Sequence, residues 1–240
     1  SAIALPLTGW LCGHWGRRKV FMVSVIGFTI ASALCGLANS LVEIVAARLL
    51  QGVFGAALVP LSQAVLLDIN PREKVGQAMA IWGAGIMVGP ILGPLLGGWL
   101  TENFDWRWVF FINLPVGIFA LWGIMRFLPE SRPQGERLDI FGFVTLSLAI
   151  GMLQLFLDRG EQLDWFDSWE IRLEAAAALI AFAFFVVHTW TVQGVSFFNR
   201  DLLKDRNFVT GLLFAFIVGM ILYGTMALLP SFLQGLMGYP

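Results

Sequence analysis

The sequence predicts an all-α polytopic membrane protein, a bundle of helices that cross a bilayer, and three observations carry that prediction. Hydrophobic residues make up 58% of the chain and charged residues only 13%, against roughly a quarter charged in ordinary soluble domains. Seven stretches are poor enough in charge and long enough to cross a bilayer, which takes about 20 helical residues. Glycine recurs at every fourth residue, Gly85, Gly89, Gly93 and Gly97, inside a run without charge from Gly76 to Leu100. In water that much glycine, with Pro90 and Pro94 directly after two of them, would break a helix. In lipid the backbone can bond only to itself, so the helix persists, bent and with a smooth groove along one side. The short alternating segments of a membrane β-barrel are absent.

Taken in order, Ser1–Cys12 is apolar but too short to span. No basic region precedes it and the chain stops just after another span, so the sequence reads as an internal piece of a longer protein. Val20–Ala38 follows three cations, Arg17, Arg18 and Lys19. Leu41–Leu67 runs to Asp68 and Pro71. Val75–Leu100 holds the glycine stripe. Val109–Met125 follows Trp106 and Trp108, and Arg126–Asp139, with Pro129, Pro133 and Gly135, reads as a linker. Ile140–Leu157 and Ile171–Val192 form a pair. Gln193–Asn207, with Phe197, Phe198, Leu202 and Leu203 among charges, reads equally as a short helix on the membrane surface or as a solvated loop. Phe208–Leu229 is the last span.

Short connections fix alternate sides. One side collects eleven cations: Arg17, Arg18, Lys19, Arg72, Lys74, Arg126, Arg132, Arg137, Arg200, Lys204 and Arg206. The other holds three, Arg107, Arg159 and Arg172, and only Arg48 lies inside a span. The excess assigns the first side to the cytoplasm, and Trp106, Trp108, Trp165 and Trp169 on the other side suit an interfacial aromatic belt. Cys12 and Cys35 offer neither a disulfide framework nor metal-ligand spacing and read as small buried hydrophobes. His14 and His188 lie near inner ends and read as surface or interfacial residues.

Three constellations stand out. The first inner loop reads from Gly9 through Gly16, Arg17 and Arg18 to Lys19. A tight turn at Gly16 there joins two spans, and by itself the loop is also a plain positive anchor. Asp68 ends a span at the same depth, where the helix macrodipole disfavours an anion, so Arg17 or Arg18 is its expected partner. The second constellation is Arg48, Gln51, Gly52 and Gly55, whose offsets of three, four and seven share one helix face. Arg48 lies roughly 10 Å into its span at 1.5 Å per residue. At mid-membrane such a charge costs at least about 2.5 kcal/mol, so it faces the bundle interior or a water-filled cavity unless it snorkels outward. The third is the glycine stripe, read as a close-packed or sliding helix face, the kind of groove a transporter needs more than a soluble enzyme does.

These motifs together resemble the major facilitator superfamily, and within it the fourteen-span drug:proton antiporters of the EmrB/QacA type. Gly9 to Lys19 is similar to the inner-loop signature between the second and third spans. Arg48-Leu-Leu-Gln51-Gly52 resembles the fourth-span signature. Gly89-Pro90-Ile-Leu-Gly93-Pro94-Leu-Leu-Gly97-Gly98 resembles the fifth-span signature of antiporters. The run from Trp106 through Asn113 and Pro115 to Gly117 is similar to the start of the sixth span in the fourteen-span branch. The resemblance covers essentially the whole chain. One departure is plain: Gly13 and His14 stand where the inner-loop signature usually has an acidic residue and an arginine. The charge relay proposed for that loop is therefore incomplete here.

The resemblance implies that residues 1–126 form most of an N-terminal six-helix bundle without its first helix. Residues 127–207 would supply a linker, the extra helix pair and an inner loop, and 208–240 the first helix of a second bundle. It implies proton-coupled efflux of hydrophobic or amphipathic compounds by alternating access, with Arg48, Gln51 and Gly52 in the coupling cavity. Gly9, Gly16, Arg17, Arg18 and Asp68 would form an inner gating element. Gly85, Gly89, Pro90, Gly93, Pro94 and Gly97 would lie at the interface between bundles. Because no Asp or Glu sits mid-span, the proton-carrying carboxylate is expected outside this chain. The expected partners are a small-molecule substrate, protons and the lipid bilayer, with a periplasmic adaptor protein left open. No cofactor, metal or nucleic acid is expected. A dedicated metabolite, peptide or siderophore exporter of the same fold stays open, as does a chain inactive by itself. An intramembrane enzyme would need paired catalytic groups at one depth, and the sequence has neither an HExxH run nor facing intramembrane Asp residues.

Overall fold

The computed structural model describes residues 7–130, 138–192 and 200–237, and these are helical, with turns and without a strand. Seven helical spans among them are long and apolar enough to cross a membrane, so the fold is all-α and polytopic. Packing divides the chain into two compact units, Ser1–Phe185 and Val186–Pro240.

In the first unit, α1 (Leu7–Trp15) and α2 (Arg17–Leu37) are separated by one residue, Gly16. Its φ of 86° and ψ of 144° lie in a region open essentially to glycine alone, and this lets the chain reverse without a loop. The loop expected from Gly9 to Lys19 is thus a single-residue turn. Gly9 lies inside α1 with open space around it, so it plays no part in the reversal.

Two spans expected to be continuous are broken, and for the same reason. Leu41–Leu67 becomes α3 (Leu41–Gly55) and α4 (Leu58–Ile69), interrupted at Ala56 and Ala57. Val109–Met125 becomes α6 (Trp108–Phe111) and α7 (Asn113–Phe127), interrupted at Ile112. Pro60 and Pro115 lie four residues after Ala56 and Phe111, the carbonyls their missing N–H groups would have bonded and their rings crowd. The backbone stays right-handed at each break, with φ of −57° at Ala56 and −59° at Ile112, so each pair still makes one span. By contrast α5 (Val75–Asn103) runs unbroken through Pro90 and Pro94.

Helix α2 is the hub, packed against α1, α3, α4, α6 and α7. Its glycines are sockets for aromatic rings. Phe54 of α3 fills the space beside Gly27, Phe111 of α6 lies 2.6 Å from where a Cβ on Gly36 would be, and Phe28 packs back against Gly55. Two small buried clusters result: Val20 with Ala57 and Leu61, and Cys35 with Ala47 and Phe110. At one end of α2, Arg107 donates from Nη2 to Ala38 O at 3.0 Å and to Asn39 Oδ1 at 2.9 Å. There Ser40 caps α3 by accepting from Glu43 N–H at 3.2 Å, and Glu43 accepts in return from Asn39 N–H at 2.8 Å, a variant of the capping box.

Helices α8 (Ile140–Arg159) and α9 (Trp169–Thr191) are joined through two short 3₁₀ turns, Glu161–Leu163 and Trp165–Asp167. Arg159 ties their near ends by donating to Glu170 at 2.8 Å and to Glu174 at 2.9 Å. Composition does not announce that pairing. In the second unit a 3₁₀ turn, Arg200–Lys204, packs on the start of α10 (Arg206–Met237). The surface helix weighed for 193–207 is reduced there to that turn, and 193–199 lie outside the described residues, as do 131–137 of the expected linker.

Candidate functional site

Two places gather the residues that the sequence singles out. The first is at the cytoplasm-assigned end of α2. Arg17 forms an ion pair with Asp68 at the last turn of α4. Arg18 donates from Nη2 to Met125 O in the last turn of α7 at 2.9 Å and lies 3.7 Å from Glu130. Adjacent cations on one helix start therefore meet the C-terminal ends of two others, where carbonyls without intrahelical partners concentrate negative potential. The pairing of Arg18 with the end of α7 could not be read from spacing, because 107 residues separate the partners.

The second is a cleft of about 380 Å³ beside α3. Arg48, Gln51, Gly52 and Gly55 line one wall, as their shared face requires. Phe28 of α2 and Val109, Phe110 and Asn113 of α6 and α7 line the other. The guanidinium of Arg48 lies over the Phe110 ring, 4.9 Å from its centroid, and donates to Gln51 Oε1 at 3.0 Å. A cation over an aromatic face is worth about 0.5–2 kcal/mol, more as water is excluded, which offsets part of the cost of an intramembrane charge.

The polarity of the remaining bonds is dictated step by step. Arginine only donates, so Gln51 must turn its carbonyl oxygen to Arg48, and its amide nitrogen is left to donate elsewhere. It donates to Ser32 Oγ at 2.9 Å. Asn113 Nδ2 donates to the same oxygen at 2.9 Å. The Ser32 hydroxyl donates its own hydrogen bond to Phe110 O, 3.1 Å away. Ser32 is 0% exposed and Gln51 6%, so water does not substitute for these partners. Cys35 Sγ lies 4.0 Å from Gln51 Oε1, a weak further contact. Removing the Ser32 oxygen would leave two amide donors without it: the buried Gln51 donor, at a cost of about 1–3 kcal/mol if unsatisfied, and the Asn113 donor, which is part-buried at the cleft.

Sequence reasoning finds Arg48, Gln51 and Gly52 through their spacing and misses Ser32, Phe28 and Phe110. Asn113, a polar residue in the apolar run Phe110-Phe-Ile-Asn-Leu, does carry a signal. A serine in a glycine- and alanine-rich helix does not, because such residues are common wherever membrane helices pack closely.

The glycine stripe behaves differently. No residue of α5 is buried, and nothing lies within 4 Å of a Cβ built on Gly85, Gly89, Gly93 or Gly97. Among the described residues the stripe has no helix seated on it. The four-residue spacing of its glycines suits close helix approach, yet no partner lies against them among the described residues.

The comparisons with known proteins agree with the fold. The Major Facilitator Superfamily matches over residues 1–240. The multidrug export protein EmrB of Escherichia coli K12 is 40% identical over 241 residues, which are 100% of this chain and 47% of that protein. The fatty acid resistance protein FarB of Neisseria gonorrhoeae is 40% identical over 242 residues, again 100% of this chain and 47% of the relative. A putative multidrug resistance protein, MdtD of Escherichia coli O1:K1, is 36% identical over 239 residues, 99% of this chain and 50% of its own length. The chain thus spans about half the length of the curated relatives it matches.

Proposed function

The chain belongs to the major facilitator superfamily as a multi-pass cell-membrane protein, and on that premise we propose that the whole protein exports hydrophobic or amphipathic compounds by proton-coupled alternating access. The observation that carries this reading is the cleft at Arg48: one cation inside a span, over an aromatic ring, with neutral hydrogen-bond partners among the described residues. A lone intramembrane arginine facing a cavity answers to charge arriving from elsewhere, whether a proton-carrying carboxylate or a ligand.

In this reading Arg48, with Gln51 and Gly52, influences proton coupling. The Arg17–Asp68 pair, with Gly9, Gly16 and Arg18 on the same inner segment, steadies one conformation at the cytoplasmic ends. The stripe from Gly85 to Gly97 offers a close-packing or sliding face to a helical surface outside the described residues. Residues 127–207 contribute the extra pair of a fourteen-span transporter. No enzymatic step is assigned. A periplasmic adaptor protein is the further partner this reading allows, and co-purification with the full-length protein tests it.

Relatives at equal identity carry two descriptions, multidrug export and fatty acid resistance, so the range of cargo is itself a question for experiment. Full-length protein reconstituted in vesicles with an imposed pH gradient would be challenged with ethidium, a dansyl-labelled fatty acid and a neutral hydrophobic dye. Gradient-dependent movement of at least two of the three supports broad efflux. Movement of one alone supports a dedicated exporter. Movement of none above empty vesicles overturns the efflux reading.

A further inference from the structure

The cleft holds more information than the position of its arginine. Among the described residues its lining carries one positive side chain, Arg48, no acidic one, and two aromatic faces, Phe28 and Phe110. A compound that fits this chemistry has an anionic head and a flat apolar body. Whether Arg48 can receive that head depends on where its guanidinium is held. One of its amino groups is committed to Gln51 Oε1, which leaves other N–H donors of the fork for a ligand. Gln51 can offer that oxygen only while its amide nitrogen is anchored on the far side. The anchor is Ser32, which takes up Gln51 Nε2 and Asn113 Nδ2 and donates its own hydrogen bond to Phe110 O.

We propose that Ser32 is a positioning residue that sets substrate charge preference: acting through Gln51, it holds Arg48 so that the cleft takes the anionic head group of an amphipathic compound. The inference rests on the efflux reading, since it names the class of cargo for the same cleft. Ser32 touches no ligand itself, being fully buried in α2 behind Gln51. Its effect reaches the cargo through two hydrogen bonds in series, Ser32 to Gln51 and Gln51 to Arg48. Without the Ser32 oxygen the Gln51 amide is free to turn over, and a turned amide presents N–H groups to a guanidinium that can only donate. Arg48 would then leave its position over Phe110.

The test measures binding, not transport. Purified full-length protein in detergent at pH 7.5 is titrated with 1-pyrenebutyrate and with its neutral methyl ester, followed by pyrene fluorescence. The expected result for the unmodified protein is at least tenfold tighter binding of the acid than of the ester. Ser32→Ala should cut that preference at least fivefold by raising Kd for the acid, while Kd for the ester stays within twofold. The ester is the control for an intact cleft, because general loosening would weaken both probes. Gln51→Leu should cause the same loss, and adding Ser32→Ala to it should cause no more, since Ser32 acts through Gln51. An unchanged preference in Ser32→Ala, losses that multiply in the double variant, or equal binding of acid and ester by the unmodified protein would each overturn the inference. Preferential acid binding by a protein that moves no compound against a gradient would sink the efflux reading and leave the role of Ser32 standing.

Discussion

Arg48 is charged in a segment where charge is costly, and the structure shows what offsets the cost: one hydrogen bond to Gln51 and the face of Phe110. In the full-length protein Arg48→Ala is expected to abolish or uncouple proton-driven export without blocking membrane insertion. Arg48→Lys should restore it only in part, since an ammonium lacks the planar fork that reaches Gln51 while stacking on the ring. Gradient-driven uptake into inverted vesicles reads both variants, and full export by Arg48→Ala would reduce the residue to a packing element. At the inner end, Arg17 and Asp68 are each about half exposed. Exposed pairs contribute only about 0.2–1 kcal/mol to stability, so Asp68→Asn should leave the melting temperature nearly unchanged and still slow transport. Rates for Asp68→Asn, Arg17→Gln and the double variant should not combine independently. If they do, the pair is an incidental contact.

Among the helices, α2 and α5 put glycine to opposite uses. In α2 it makes room for partners already present: a side chain at Gly27 would run into the Phe54 ring, and one at Gly36 into Phe111. Gly27→Val is therefore expected to destabilise the protein by about 1–3 kcal/mol, the usual cost of overpacking a filled site, seen as a lower melting temperature in detergent. In α5 nothing crowds Gly89, Gly93 or Gly98 among the described residues, and valine at any of them should leave the packing described here intact. A contrast among the three can come only from a surface outside the described residues. In full-length protein, transport lost with Gly89→Val or Gly93→Val but retained with Gly98→Val at equal expression would place a second helical bundle on that face. Equal, mild effects at all three would leave the stripe as permissive backbone only.

For the molecule as a whole, orientation follows from charge and not from packing. Arg17, Arg18, Asp68 and Glu130 share one end of the first unit, while Asn39, Asp105 and Arg107 share the other. The sequence sorts eleven cations to one set of span ends and three to the other, which predicts that the first side is cytoplasmic. Single cysteines at Lys74 and Arg159, introduced into a cysteine-free full-length protein, should react differently with an impermeant thiol reagent on intact cells: 159 labelled, 74 protected. Labelling at 74 alone would invert the topology.

Class, number of spans and the Arg48 face were legible without coordinates, because each depends on local properties: apolar length against bilayer thickness, and the helical repeat that brings residues 48, 51, 52 and 55 to one side. The Asp68 pairing was half legible, since a helix-end anion calls for a cation without saying which of two neighbours supplies it. The breaks at Ala56 and Ile112 were local too, four and three residues before a proline, although the continuous apolar runs hid them. Ser32 was not legible at all. Its role exists only where α2, α3 and the α6–α7 junction converge, bringing residues 19, 78 and 81 positions apart onto one oxygen. Hydrophobic patterning decides which segments enter the membrane, but a buried hydrogen-bond network is specified by which helices touch and in what register, and that is settled by packing.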